Sequence, residues 1–204
     1  MYPTLSDTIG QLEWKRFASD ERKASLQPLI DFIQQKVTAA QQVVLNFICT
    51  HNSRRSHLAQ IWTQAAAIYF KIPNVNSYSG GIEETALFPK IPEILIAQGF
   101  SIFKIADSNN PIYAIKVSDN TPPVIGFSKK YDSSFNPSSE FAAIMTCSQA
   151  ERGCPFIAGA EKRIPVTFED PKSSDGTADQ DRVYTERSLQ IATEMFYVFS
   201  SIKL

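Results

Sequence analysis

The residues best suited to chemistry stand together in Cys49-Thr50-His51-Asn52-Ser53-Arg54-Arg55-Ser56: a cysteine, five residues, an arginine and a serine. Each type has a physical use. A loop that winds into a helix N-terminus aims several backbone N–H groups at one point, forming a cradle for an anion. That assigns oxyanion binding to Thr50, His51, Asn52, Ser53, Arg54 and Arg55. The planar fork of Arg55 suits two oxygens of a tetrahedral oxyanion. The same positive field favours the thiolate of Cys49, the form that attacks. Ser56 can donate a hydrogen bond to that sulfur.

Two further segments carry candidate chemistry. Cys147-Ser148-Gln149-Ala150-Glu151-Arg152-Gly153-Cys154-Pro155 holds the other two cysteines, with six residues between them. Three cysteines are an odd set for a secreted disulfide framework. As metal ligands they make an incomplete tetrahedral set with no histidine nearby, and His57 lies in a different element. No metal or cofactor is therefore expected. The third segment is Phe168-Glu169-Asp170-Pro171, where an aspartate precedes a direction-fixing proline.

The elements that must position these residues follow from periodicity. Val43–Ile48 is a nearly continuous apolar run, as in a strand buried on both faces. After the loop, Leu58, Ile61, Trp62, Ala65, Ala66 and Tyr69 mark one face of a helix. Cys49 then sits at the carboxyl end of a strand, where open α/β sheets bind ligands. Further strands are expected at Val75–Ser79, Phe141–Thr146 and Val166–Phe168, with a hairpin insertion at Ile112–Val117 and Val124–Phe127. Helices are expected over Ile91–Gln98 and Ala178–Ser200. Residues 1–40 read as a helical extension, with Pro28 near the start of its second helix. Strands alternating with helices predict an α/β fold, a four-stranded parallel sheet with helices on both faces. The expected division is an extension over 1–40 and a catalytic domain over 41–204.

The bulk composition bounds the rest. The 204 residues suffice for one domain with a real core, and 43% hydrophobic and 20% charged residues are ordinary for a globular chain. The net charge of −1 gives no electrostatic footprint for nucleic acid or an anionic membrane. No targeting segment and no membrane-length apolar run is visible, so a cytoplasmic location is expected.

The loop resembles the low-molecular-weight protein tyrosine phosphatase superfamily over about residues 43–202, which has Cys, Asn, Arg and Ser where Cys49, Asn52, Arg55 and Ser56 stand here. His51 replaces a common glycine, and Arg54 a frequent second cysteine. The Cys147–Cys154 segment resembles the redox segment of the superfamily's thioredoxin-coupled arsenate reductases. The resemblance implies that Asp170 is the general acid, carried on an Asp-Pro loop after the last strand. The tyrosine phosphatases carry aromatic residues after that Asp-Pro. Here Lys172-Ser173-Ser174-Asp175-Gly176 follows, without a ring, which favours a small inorganic oxyanion.

Three functions are consistent with these residues. The first is reduction of arsenate through Cys49, Cys147 and Cys154, regenerated by a thioredoxin-type reductant. The second is hydrolysis of phosphotyrosine or another phosphomonoester, needing only Cys49, Arg55 and Asp170. The third is a redox-regulated module that binds an oxyanion without turnover, against which the general acid argues.

Overall fold

The computed structural model describes residues 1–16, 20–153 and 156–204. Four parallel strands form the central sheet, in the order β2-β1-β6-β7: β1 is Val43–Cys49, β2 Val75–Gly81, β6 Phe141–Met145 and β7 Ala160–Pro165. Alternation along the strands sorts the core. Val43, Leu45 and Phe47 of β1 and Ala142 and Ile144 of β6 join one large cluster. It includes residues of α2 (Asp20–Thr38), α3 (Arg55–Tyr69) and α6 (Gln180–Ser200). The other face of the same strands presents Ile48, Phe141, Ala143 and Met145. These form a smaller cluster with Cys49, Cys147, Ile157 and Ala150 of α5 (Ser148–Gly153). No helix is long and apolar enough to cross a membrane among the described residues.

The N-terminal segment packs into the large cluster through Leu5 and Ile9 of α1 (Pro3–Gln11) and Leu26, Leu29 and Ile33 of α2. At Gly99, φ is +98° and a Cβ would lie 2.2 Å from the Leu5 nitrogen, so only glycine lets α1 cross there. Pro28 lies inside α2 rather than at its start. The helix begins instead at Asp20 and Glu21, whose charges suit its positive end. A helix-interior proline costs about 3 kcal/mol, which burial of Leu26, Leu29, Ile30 and Ile33 offsets.

One expectation is extended and another corrected. The hairpin insertion is the larger part of a three-stranded antiparallel sheet. β4 (Ile112–Lys116) pairs with β5 (Val124–Gly126) and also with β3 (Ser101–Ala106), which follows α4 (Lys90–Ala97). β3 leaves Phe103 and Ile105 exposed, so it lacks the apolar-in alternation that marks a half-buried strand. The fourth strand of the parallel sheet is Ala160–Pro165, not Val166–Phe168. It is a charged edge strand in which only Ile164 is buried. The chain beyond it still runs along β6, where Val166 N donates to Met145 O and Phe168 N to Thr146 O.

Candidate active site

The Cys49 loop lies between the carboxyl end of β1 and the first turn of α3. Its carbonyls are held from outside. Cys49 O accepts from Ile82 N, Thr50 O from Glu83 N and Ser53 O from Phe88 N. His51 O accepts from the hydroxyls of Thr85 and Ser128, at 3.0 Å each. A carbonyl oxygen can only accept, so His57 Nε2, 2.9 Å from Asn52 O, carries the proton of that ring. In a trans peptide the next N–H points opposite to the carbonyl, and no cis bond is present among the described residues. Carbonyls turned outward therefore turn the N–H groups of the loop inward.

Asn52 is the conformational pivot. Its φ is 44°, in the left-handed region, whereas His51 is outside it. A histidine thus fits where the family resemblance expects glycine. The His51 ring turns outward, with Nδ1 3.1 Å from Glu83 Oε2. Gly81 lies beneath the loop, and a Cβ there would approach Asn52 N to 2.7 Å. The Asn52 amide is oriented by Lys129 N, which donates to its Oδ1 at 2.9 Å. Its Nδ2 donates to Ser56 Oγ at 2.9 Å, and Ser56 Oγ lies 3.1 Å from Cys49 Sγ. With the amide supplying a proton to Ser56 Oγ, the serine hydroxyl is free to donate to the sulfur.

Arg55 reaches across to the Asp-Pro loop. Its Nη1 donates to Phe168 O at 2.9 Å and its Nη2 to Asp170 Oδ2 at 2.5 Å, while Nε is buried without a partner. Two of its five N–H donors are engaged with this loop, which leaves Nε and the second proton of Nη2 uncommitted. The other oxygen of Asp170 accepts from Lys172 N at 3.1 Å. Cys49, Thr50, His51, Ser53, Arg54, Arg55 and Asp170 line one cavity of about 220 Å³, with Gln149 and Lys172 completing its wall.

Arg54 borders the cavity, but its guanidinium is engaged elsewhere. It donates to Asp175 Oδ2 and Tyr184 Oη, at 2.6 and 2.5 Å, and lies 4.1 Å above the Phe88 ring. Its role here is to tie the cradle to the segment after Pro171 and to α6. Burial, then the bond to Asp175, raises the Tyr184 hydroxyl well above its ordinary pKa. The sequence holds no local signal for this cluster, because Arg54 and Tyr184 are 130 residues apart.

Cys147 follows β6, whose end is tied to β1 by Thr146 N and Oγ1, both donating to Ile48 O. It is buried, its sulfur accepts from Ala150 N at 3.3 Å, and Thr50 Oγ1 lies 3.4 Å away. The same Thr50 hydroxyl lies 3.2 Å from Gln149 Oε1. Cys154 lies outside the described residues. Among the described residues no cluster of His, Cys, Asp and Glu could hold a metal ion.

Behind the loop, burial and then the Lys129 charge lower His57 to about 3, although its bond to Asn52 O works the other way. The unfolded chain takes up this proton near pH 6.5 and the folded one only near 3, so stability falls with acidification across that window. The slope is about 1.4 kcal/mol per pH unit. From pH 6.5 to 5 the loss from this residue is expected to be about 2 kcal/mol. Urea unfolding of wild type and His57→Gln at both pH values checks this; identical losses would show that His57 titrates normally.

No family model and no curated protein matches this chain. Solved structures do. A low molecular weight phosphotyrosine phosphatase from Vibrio cholerae O395 superposes with a TM-score of 0.54 at 12% identity, covering 78% of this chain and 95% of that one. A low molecular weight protein tyrosine phosphatase from T. tengcongensis gives 0.53 at 14%, covering 79% and 100%. An arsenate reductase in the phosphate binding state gives 0.50 at 15%, covering 79% and 100%. The fold is that of low-molecular-weight phosphatases and arsenate reductases.

Proposed function

We propose that this chain is a cysteine-dependent oxyanion enzyme that reduces arsenate to arsenite. The observation that carries the reading is Cys147, buried in one cluster with Cys49 and 3.4 Å from Thr50 Oγ1 of the cradle. Arsenate enters the 220 Å³ cavity and takes the inward N–H groups and the Arg55 fork, leaving Asp170 to face the departing oxygen. The Cys49 thiolate attacks arsenic, an S–As bond forms, and one oxygen leaves as water with the Asp170 proton. Cys147 then attacks the Cys49 sulfur. An S–S bond forms, the S–As pair stays on arsenic, and arsenite departs. Cys154 attacks Cys147, the Cys49–Cys147 bond breaks and Cys49 leaves as its thiolate, and a thioredoxin-type dithiol reduces the Cys147–Cys154 disulfide while becoming a disulfide itself.

Phosphomonoester hydrolysis is the second reading, favoured by a cavity that assembles Cys49, Arg55 and Asp170, the three residues it needs. Steady-state turnover of arsenate with thioredoxin and its reductase, beside hydrolysis of an aryl phosphate, separates the two. The reductase reading requires turnover that depends on thioredoxin. Hydrolysis alone would replace it.

Asp170→Asn is expected to slow bond cleavage by about two to four orders of magnitude, the usual cost of a lost general acid. With aryl phosphates the loss should shrink as the leaving group improves. An equal loss across leaving groups would assign Asp170 to holding Arg55.

A further inference from the structure

Beside the cradle, and sharing Arg55, Gln149 and Asp170 with it, lies a larger cavity of about 490 Å³. Four guanidinium groups border it, those of Arg22, Arg55, Arg152 and Arg187, against the carboxylates of Glu169 and Asp170. Two of the four are neutralised in place. Arg22 pairs with the buried Glu194 at 2.6 Å and Arg55 with Asp170 at 2.5 Å. The other two have no ion pair among the described residues. Arg187 donates through Nη1 to the neutral amide of Gln190, and its Nε is shielded from solvent without a partner.

An arginine remains charged under all ordinary conditions, and a shielded N–H with no acceptor costs free energy until one arrives. Burial works against the Arg187 charge, and so does Arg55, while Glu169, Glu194 and Asp170 favour it without an ion pair to any of them. Arg152 adds a second unpaired charge from the last turn of α5. Roomy and with surplus positive charge, this cavity has the donors a tetrahedral oxyanion requires.

We propose that this cavity is a second anion subsite, contiguous with the Cys49 cradle, that takes an oxyanion or phosphate group on Arg152 and Arg187. The group is either a free oxyanion or the second phosphate of a substrate whose first phosphate occupies the cradle. The second alternative rests on the cradle reading above. The first stands without it.

Calorimetric titration with inorganic phosphate tests the subsite on the whole chain. Wild type should bind two phosphates. The double variant Arg152→Gln, Arg187→Gln should bind one, the lost site being weakened at least about tenfold, as for a charge-assisted contact. Protection of Cys49 from iodoacetamide by phosphate reports the cradle separately and should survive in the double variant. One phosphate in wild type that persists in the double variant, or two with unchanged affinity in the double variant, overturns the subsite. Loss of alkylation protection with the arginine-dependent phosphate intact overturns the cradle reading instead. Butane-1,4-diol bisphosphate and butyl phosphate, compared as protectants of Cys49, identify the source. An advantage of about tenfold or more for the bisphosphate, abolished in the double variant, assigns the subsite to a substrate's second phosphate. Equal protection beside two-phosphate binding assigns it to a free oxyanion.

Discussion

Cys49→Ser is expected to abolish thioredoxin-coupled arsenate reduction and aryl phosphate hydrolysis together, while the protein keeps its fold. Both reactions begin with attack by the Cys49 sulfur, and a serine hydroxyl at the same place is a far weaker nucleophile at neutral pH. The substitution is nearly isosteric. The contact with Ser56, 3.1 Å in the native site, becomes an ordinary hydroxyl pair, and the carbonyls holding the loop are untouched. Phosphate should still bind, because the N–H cradle and Arg55 remain. Turnover and binding are therefore measured on the same variant. Residual turnover within tenfold of wild type would remove this loop as the active site. Lost turnover with lost phosphate binding and a changed circular dichroism spectrum would mean that the fold had gone instead.

The central sheet was legible because its two middle strands are nearly continuous apolar runs. Val43–Ile48 and Phe141–Met145 are covered on both faces, and such runs have few other places to lie. Its edge was not. Ala160–Pro165 carries Glu161, Lys162 and Arg163, and its pairing with β6 comes from backbone bonds that leave no apolar pattern. β3 hid for the opposite reason, since its apolar Phe103 and Ile105 face outward.

Within the site, the local pattern gave the loop but not the direction of each side chain. Arg54 and Arg55 are adjacent, and successive residues around a helix start differ by about 100° in direction. One therefore turns toward Asp170 and the other toward Asp175, Tyr184 and Phe88. Which arginine does which depends on partners more than a hundred residues away, and no spacing rule contains that. His57 and Lys129 were equally invisible as supports. Their value lies in the bonds of one ring nitrogen and one backbone N–H to Asn52, which only the folded chain brings together.

Single replacement of Cys147 or Cys154 by serine is expected to stop multiple-turnover arsenate reduction and to spare aryl phosphate hydrolysis. Water suffices to clear a phosphocysteine. Releasing arsenite requires a second thiol to take the Cys49 sulfur, and the electrons come from that thiol pair. The two variants should fail at different points. Cys147→Ser leaves the Cys49–arsenic adduct with no attacking sulfur, so no arsenite appears. Cys154→Ser releases about one arsenite per chain and stops at a Cys49–Cys147 disulfide, visible by mass spectrometry as a loss of about two hydrogens. The placement of Cys147 makes that bond reachable. Thr146 is bonded to Ile48 O, so both cysteines lie at the carboxyl ends of the same pair of parallel strands, in one buried cluster. Thr50 stands beside the sulfur of Cys147, and Ala150 N donates to it, so attack on Cys49 gives up both contacts. The burst of arsenite in Cys154→Ser is the discriminating measurement. Its absence, with hydrolysis intact in both variants and no thioredoxin-dependent turnover in wild type, would leave phosphomonoester hydrolysis as the activity of the Cys49 cradle.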